Sequence, residues 1–85
     1  MKIRDDLVGL LNRLGDRLAM DQVVFIDELI NAGERVLALE QIADVLSEDE
    51  IGLLDGERDD LIALNTRLGM GDRVPHALVF CPAIS

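Results

Sequence analysis

The sequence predicts an all-α fold, a small antiparallel bundle of about four helices followed by a short C-terminal helix or tail. Three observations predict it. Aliphatic residues recur at three- and four-residue steps along most of the chain, the period of a helix with one buried face. Glycine-containing breaks interrupt the pattern at short intervals, as between antiparallel helical neighbours. The apolar set is Leu, Ile, Val and Ala, with Phe25 and Phe80 the only aromatic residues. Eighty-five residues make one domain, expected over residues 1–78 with 79–85 as a tail. A chain of this size buries only ~60% of the surface its unfolded form exposes, leaving little room for a deep, water-excluding active site.

In order along the chain, Ile3, Leu7, Leu10, Leu11, Leu14 and Leu18 form the stripe of a first helix, which Gly15 bends or frays. Asp21 is the expected N-cap of the second, with Met20 and Phe25 as a hydrophobic staple. Val23, Ile26, Leu29 and Ile30 are its buried face, and Gly33 suits the left-handed cap that ends it. The third helix is expected from about Glu34 to Leu46 or Glu48. Its apolar half-wheel is Val36, Leu39, Ile42, Ala43, Val45 and Leu46, opposite Glu40, Asp44 and Glu48. Ser47-Glu48-Asp49-Glu50 ends it, and Leu53 and Leu54 pin the following loop to the core. Asp55 is the expected cap of a fourth helix bearing Leu61, Ile62, Leu64 and Leu68 and closed by Gly69 and Gly71. Asp72 to Leu78 reads as a short helix with Pro75 in its first turn. Val79 to Ser85 reads as a loose tail whose Val79-Phe80 pair is able to pack on the bundle.

The net charge is −9 and its distribution is uneven. Residues 1–39 hold seven acids and five bases, residues 61–85 one acid and two bases, and residues 40–60 nine acids with Arg58 as their only base. Glu40, Asp44 and Glu48 share a helical face, where like charges cost roughly 0.2–0.5 kcal/mol per pair in an isolated helix. Asp49, Glu50, Asp55, Glu57, Asp59 and Asp60 continue the run. Two of them benefit from the dipole at the start of the fourth helix; the others have no local stability reason to be acidic. One reading is a solvated polar face. The other, a surface that meets a basic protein, explains why Lys is not interspersed with Glu, and makes these nine acids the candidate partner-binding residues.

The same charge excludes other classes. Phosphate backbones require clustered Lys and Arg, and single-stranded nucleic acid requires aromatic platforms, so no nucleic-acid partner is expected. Anionic membrane surfaces are equally unsuited, and no segment approaches the ~20 apolar residues that span a bilayer. Gln41-Ile42-Ala43-Asp44-Val45-Leu46-Ser47 has the look of the first helix and turn of a helix-turn-helix. The helix after it would then bring Glu57, Asp59 and Asp60 against phosphates, which electrostatics opposes.

No catalytic set is legible, and the chain is expected not to be an enzyme. His76 is the only histidine and no nucleophile stands near Asp59-Asp60. Cys81 has no neighbouring base in sequence to activate it and reads as a small hydrophobe. A calcium loop starting at Asp49 would place Ile51, Leu53 and Leu54 where oxygen ligands belong. Gly69-Met70-Gly71 lacks the Lys-Ser/Thr of a phosphate loop. Neither metal nor cofactor is expected. A single cysteine forms no internal disulfide, and Met1-Lys2-Ile3-Arg4-Asp5-Asp6 does not open a signal peptide, so a cytoplasmic location is expected.

Arg13-Leu14-Gly15-Asp16-Arg17-Leu18, Asp27-Glu28-Leu29-Ile30-Asn31-Ala32-Gly33-Glu34 and Ala38-Leu39-Glu40-Gln41-Ile42-Ala43-Asp44-Val45-Leu46-Ser47-Glu48 resemble the MafI-type immunity proteins. Asp55-Gly56-Glu57-Arg58, the stretch Leu61 to Leu68 and Arg73-Val74-Pro75 continue the likeness, which covers about residues 7–78. The resemblance implies a bacterial cytosolic protein, encoded beside a secreted polymorphic toxin, often a nuclease, which it binds and neutralises. It implies no contact map; the acidic site is read from charge alone. A small helical regulatory or oligomerisation module without a toxin partner is the alternative, and a homodimer is compatible with either.

Overall fold

The computed structural model describes residues 3–84; Met1, Lys2 and Ser85, the outer ends of the expected domain and tail, lie outside them. The fold is all-α, as expected: α1 Ile3–Leu14, α2 Met20–Asn31, α3 Arg35–Glu48, α4 Asp55–Arg67 and the short α5 Arg73–Leu78, with a single 3-10 turn at Gly15–Arg17. A lone parallel bridge between Leu53 and Ala83 is the only β pairing among the described residues. α3 is central and packs against α1, α2, α4 and α5. Asp6 pairs with Arg67 and Arg13 with Asp60, early residues with late ones, so α1 and α4 run antiparallel.

Each helix buries the face its spacing marks. Leu7, Leu10, Leu11 and Leu14 of α1 are buried, and Leu18 completes the stripe from an extended residue beyond the 3-10 turn that begins at Gly15. α2 buries Ile26 and Ile30, with Val23 and Leu29 half-buried beside them. α3 buries Ala38, Leu39, Ile42, Ala43, Val45 and Leu46. Val36, expected in the core, stays exposed in the first turn; Ala38 lies inward instead, where a small side chain lets the central helix approach its neighbours. α4 contributes Leu61 and Leu64, and α5 Val74 and Leu78.

The helix starts differ from expectation. α2 begins at Met20 behind an extended Ala19, so Asp21 lies inside the first turn rather than capping it. Its carboxylate still faces the positive end of the helix and accepts the Gln22 N–H at 3.0 Å. Met20 and Phe25 are 76% and 45% exposed and form no staple. With the cap at Ala19, the two staple positions fall on Leu18 and Val23, which are buried and half-buried. α4 likewise starts one residue early, with Leu54 as N-cap and Asp55 as its first residue. Leucine has no acceptor to offer, so the capping falls to Glu57 at N3, whose Oε1 accepts the Leu54 N–H at 2.9 Å. Leu53 alone of the expected pair pins the loop; Leu54 is exposed.

Three helices end in the same way. In α2 the Gly33 N–H reaches Ile30 O and the Glu34 N–H reaches Leu29 O; in α4 Gly69 and Met70 bond Thr66 and Asn65. In α3 the Glu50 N–H reaches Ser47 O at 3.3 Å and the Ile51 N–H reaches Leu46 O at 2.9 Å. This is the Schellman closure, whose pivot residue must take positive φ. Gly33 and Gly69 do so at +79° and +66°; at α3 the pivot is Glu50, at +50°.

Residues 79–84 are not a loose tail. The Leu53 N–H donates to Pro82 O and the Ile84 N–H to Leu53 O, both at 2.9 Å. A Cβ on Gly52 would stand 2.5 Å from Ile84 Cγ2, so glycine is what lets the chain end lie across this loop. Cys81 is buried, whereas Val79 and Phe80, expected to be able to pack on the bundle, face outward.

Candidate functional site

The nine candidate acids divide by what they touch. Glu57 is not part of a free surface. It is 3% exposed, and both its oxygens are held by Arg17, Nη1 to Oε1 at 2.6 Å and Nη2 to Oε2 at 2.8 Å. Oε1 also accepts the Leu54 N–H, while Arg17 Nη1 donates to Gly52 O at 3.3 Å. The Arg17 hydrogen bond holds the Glu57 carboxyl below the usual carboxylate range against the opposing effect of burial, and the same pairing raises Arg17. Glu57 thus ties the 3-10 turn after α1 to the start of α4. Its inclusion among the partner-binding acids is corrected on that ground: at 3% exposure, with two guanidinium bonds and one backbone bond on its oxygens, it has almost no surface to offer a partner.

Two further acids are partly neutralised. Glu40 accepts from Arg73 of α5 at 2.8 Å, and Asp60 from Arg13 of α1 at 2.5 Å. Both pairs are open to water, where such contacts are worth little. The remaining six, Asp44, Glu48, Asp49, Glu50, Asp55 and Asp59, are exposed and have no ion-pair partner among the described residues.

Arg58, the only base in this run, is turned inward. Nη1 donates to Leu78 O at 2.8 Å and Nη2 to Cys81 O at 2.7 Å, so its charge sits on the terminal carbonyls of α5 and the turn after it. Its charge is therefore spent on capping α5, not on offsetting neighbouring acids.

Glu48, Asp49 and Glu50 cluster at the C-terminal end of α3, the negative pole of its dipole, and no basic residue occupies its last turn. Each acid there costs roughly 0.3–1 kcal/mol of helix stability. Asp55, in the first turn of α4, has the opposite and favourable placement. Asp44 lies with Glu40, Asp72, Arg73 and His76 around an open cleft of about 400 Å³ between α3 and α5, floored by Ala43, Val74 and Ala77.

Sequence reasoning missed Arg17, Arg58 and Asn65. Asn65 is 2% exposed; it donates Nδ2–H to Gly71 O at 2.7 Å and accepts the Val74 N–H, closing the α4–α5 turn. The spacing of Glu57 three residues after Leu54 was a usable signal for the α4 cap. No local pattern points Arg58 at α5. Among the described residues no group of three or more His, Cys, Asp and Glu side chains is placed to hold a metal, and no helix is long and apolar enough to cross a membrane. Burial pushes the Cys81 thiol up, with Arg58 opposing, which keeps it protonated and unreactive at neutral pH. The chain matches no family model, no curated protein and no solved structure.

Proposed function

We propose that this chain is an immunity protein that binds and neutralises a cognate secreted toxin domain through its acidic surface and performs no catalysis. The observation that carries the reading is the α3 terminus. Glu48, Asp49 and Glu50 oppose the helix dipole, and Glu50 holds a left-handed backbone that two sister helix ends give to glycine. A residue that is doubly unfavourable for the fold supports selection for something outside it. A basic nuclease groove is one surface such a cluster complements, with opposite charge accelerating encounter. The phrases that resemble MafI-type immunity proteins point to the same class of partner.

The test is co-expression with the adjacent toxin gene. Protection from growth arrest is expected, together with a complex of the purified proteins whose association rate falls steeply with salt. Reversing Glu48, Asp49 and Glu50 to Lys should slow association at low salt and leave the fold intact. An unchanged rate would remove the acidic face from the account. The exposed α2 residues Met20, Val24 and Phe25 favour a competing reading, a self-associating or regulatory module. Absence of protection with concentration-dependent dimerisation would select it.

A further inference from the structure

Both aromatic residues lie outside the core: Phe25 is 45% and Phe80 57% exposed. Phenylalanine is the largest apolar side chain in this sequence, so each ring leaves a sizeable apolar area in water. The backbone that carries Phe80 is hydrogen-bonded in place. The Phe80 N–H bonds Ala77 O, the Cys81 N–H bonds Leu78 O, and Arg58 clamps Leu78 O and Cys81 O on either side. Cys81 is buried beneath the turn, and Pro82 and Ile84 are bonded to Leu53. These contacts wrap residues 78–84 around the start of α4, and the junction presents Leu54, Val79, Phe80 and Ile84, all exposed, Val79 at 76%. Asp55 and Asp59 stand on the same helix start, flanking Arg58 in sequence, both exposed and without an ion-pair partner among the described residues.

We infer that this junction is the apolar anchor of the toxin interface, with Phe80 and Val79 inserting into an apolar pocket of a cationic partner whose Lys and Arg meet Asp55 and Asp59. The inference rests on the toxin-binding reading and gives it a dissociation-controlling site distinct from the α3 terminus. Charge selects the occupant: a second copy of this chain carries net charge −9 and would set carboxylates near carboxylates, whereas a basic rim is complementary. Preorganisation supports the anchor role, because the backbone that carries Phe80 is already fixed by its hydrogen bonds, so docking has only the two χ angles of the ring to order.

The experiment measures association and dissociation of the adjacent-gene toxin domain with wild type, Phe80→Ser, and Asp55→Lys with Asp59→Lys. Circular dichroism melts check that the variants remain folded. Phe80→Ser is expected to raise the dissociation rate about 30-fold with little change in association. The Asp variants are expected to slow association at low salt. Normal dissociation of Phe80→Ser beside a tight wild-type complex overturns the anchor and leaves the toxin reading standing. Failure of wild type to bind overturns the toxin reading, and the anchor is then decided by a second probe, a synthetic amphipathic leucine–lysine helix followed by amide NMR. Shifts concentrated at residues 54–59 and 79–84, with affinity falling about tenfold in Phe80→Ser, uphold an anchor for cationic apolar ligands. Shifts elsewhere, or sedimentation showing a dimer that Phe80→Ser disperses, overturn it.

Discussion

Replacing Glu57 with glutamine keeps the side-chain shape and removes one charge from the joint between the 3-10 turn and α4. The wild-type carboxylate receives two guanidinium bonds, at 2.6 and 2.8 Å, and one backbone bond at 2.9 Å. Stripping one partner from a fully enclosed ion pair costs about 3–5 kcal/mol. The Glu57 side chain is 4% exposed but that of Arg17 is 28%, so water relieves part of the orphaned charge. Glutamine also keeps an acceptor for Leu54. A single charge-assisted hydrogen bond is worth roughly 1.5–3 kcal/mol, which puts the expected loss near 2 kcal/mol. In a domain of this size that lowers Tm by about 8–16 °C. Thermal melts at pH 7 and urea titrations with unchanged m check it. The pH profile gives a second readout. Because the folded carboxyl titrates below its unfolded value, its stabilisation is complete above the unfolded value and is lost as pH falls through the folded one. Glu57→Gln should therefore flatten the acid limb of the stability curve. A variant within about 0.5 kcal/mol of wild type, with the same acid limb, would refute the structural assignment of Glu57 and return it to the surface set.

Glu50→Gly should raise stability by about 1 kcal/mol, since glycine takes the left-handed pivot of the α3 closure without a Cβ penalty and one acid leaves the negative pole of the dipole; the same change should slow toxin association, and equilibrium unfolding with stopped-flow binding reads both. Gly52→Ala should lift the chain end from the loop by pushing on Ile84, seen as faster hydrogen exchange at the Ile84 amide with little change in the melt of the bundle. Arg58→Gln should lower stability by about 1–3 kcal/mol by leaving the Leu78 and Cys81 carbonyls without their charged donor, read by equilibrium unfolding. Removing Arg13 from its exposed pair with Asp60 should change stability by less than about 1 kcal/mol in the same melts.

Local chemistry made much of this protein legible in one dimension. The three- and four-residue spacing of Leu7, Leu10, Leu11 and Leu14, and of Ile26 with Ile30, is a property of the helix itself, so the buried faces could be read before any packing was known. Gly33 and Gly69 likewise mark endings whose geometry only glycine takes freely. Helix starts were less legible because the N-cap residues, Ala19 and Leu54, carry no side-chain acceptor of their own; at α4 the side-chain bond comes instead from Glu57, three residues on.

The acidic run shows where reading along the chain stops. By itself the sequence determined that the excess charge falls in residues 40–60, because charge is additive and needs no geometry. Glu48 and Glu57 are then equivalent. Tertiary structure decided between them: Arg17, forty residues away, encloses Glu57, and among the described residues no base forms an ion pair with Glu48. It also turned Arg58 onto α5, so that the one local counter-charge serves a helix end instead of its acidic neighbours. Helical periodicity and net charge are sums over neighbours in the chain, whereas burial and ion pairing depend on which distant segment packs alongside, and that was settled only when α1, α4 and the chain end met.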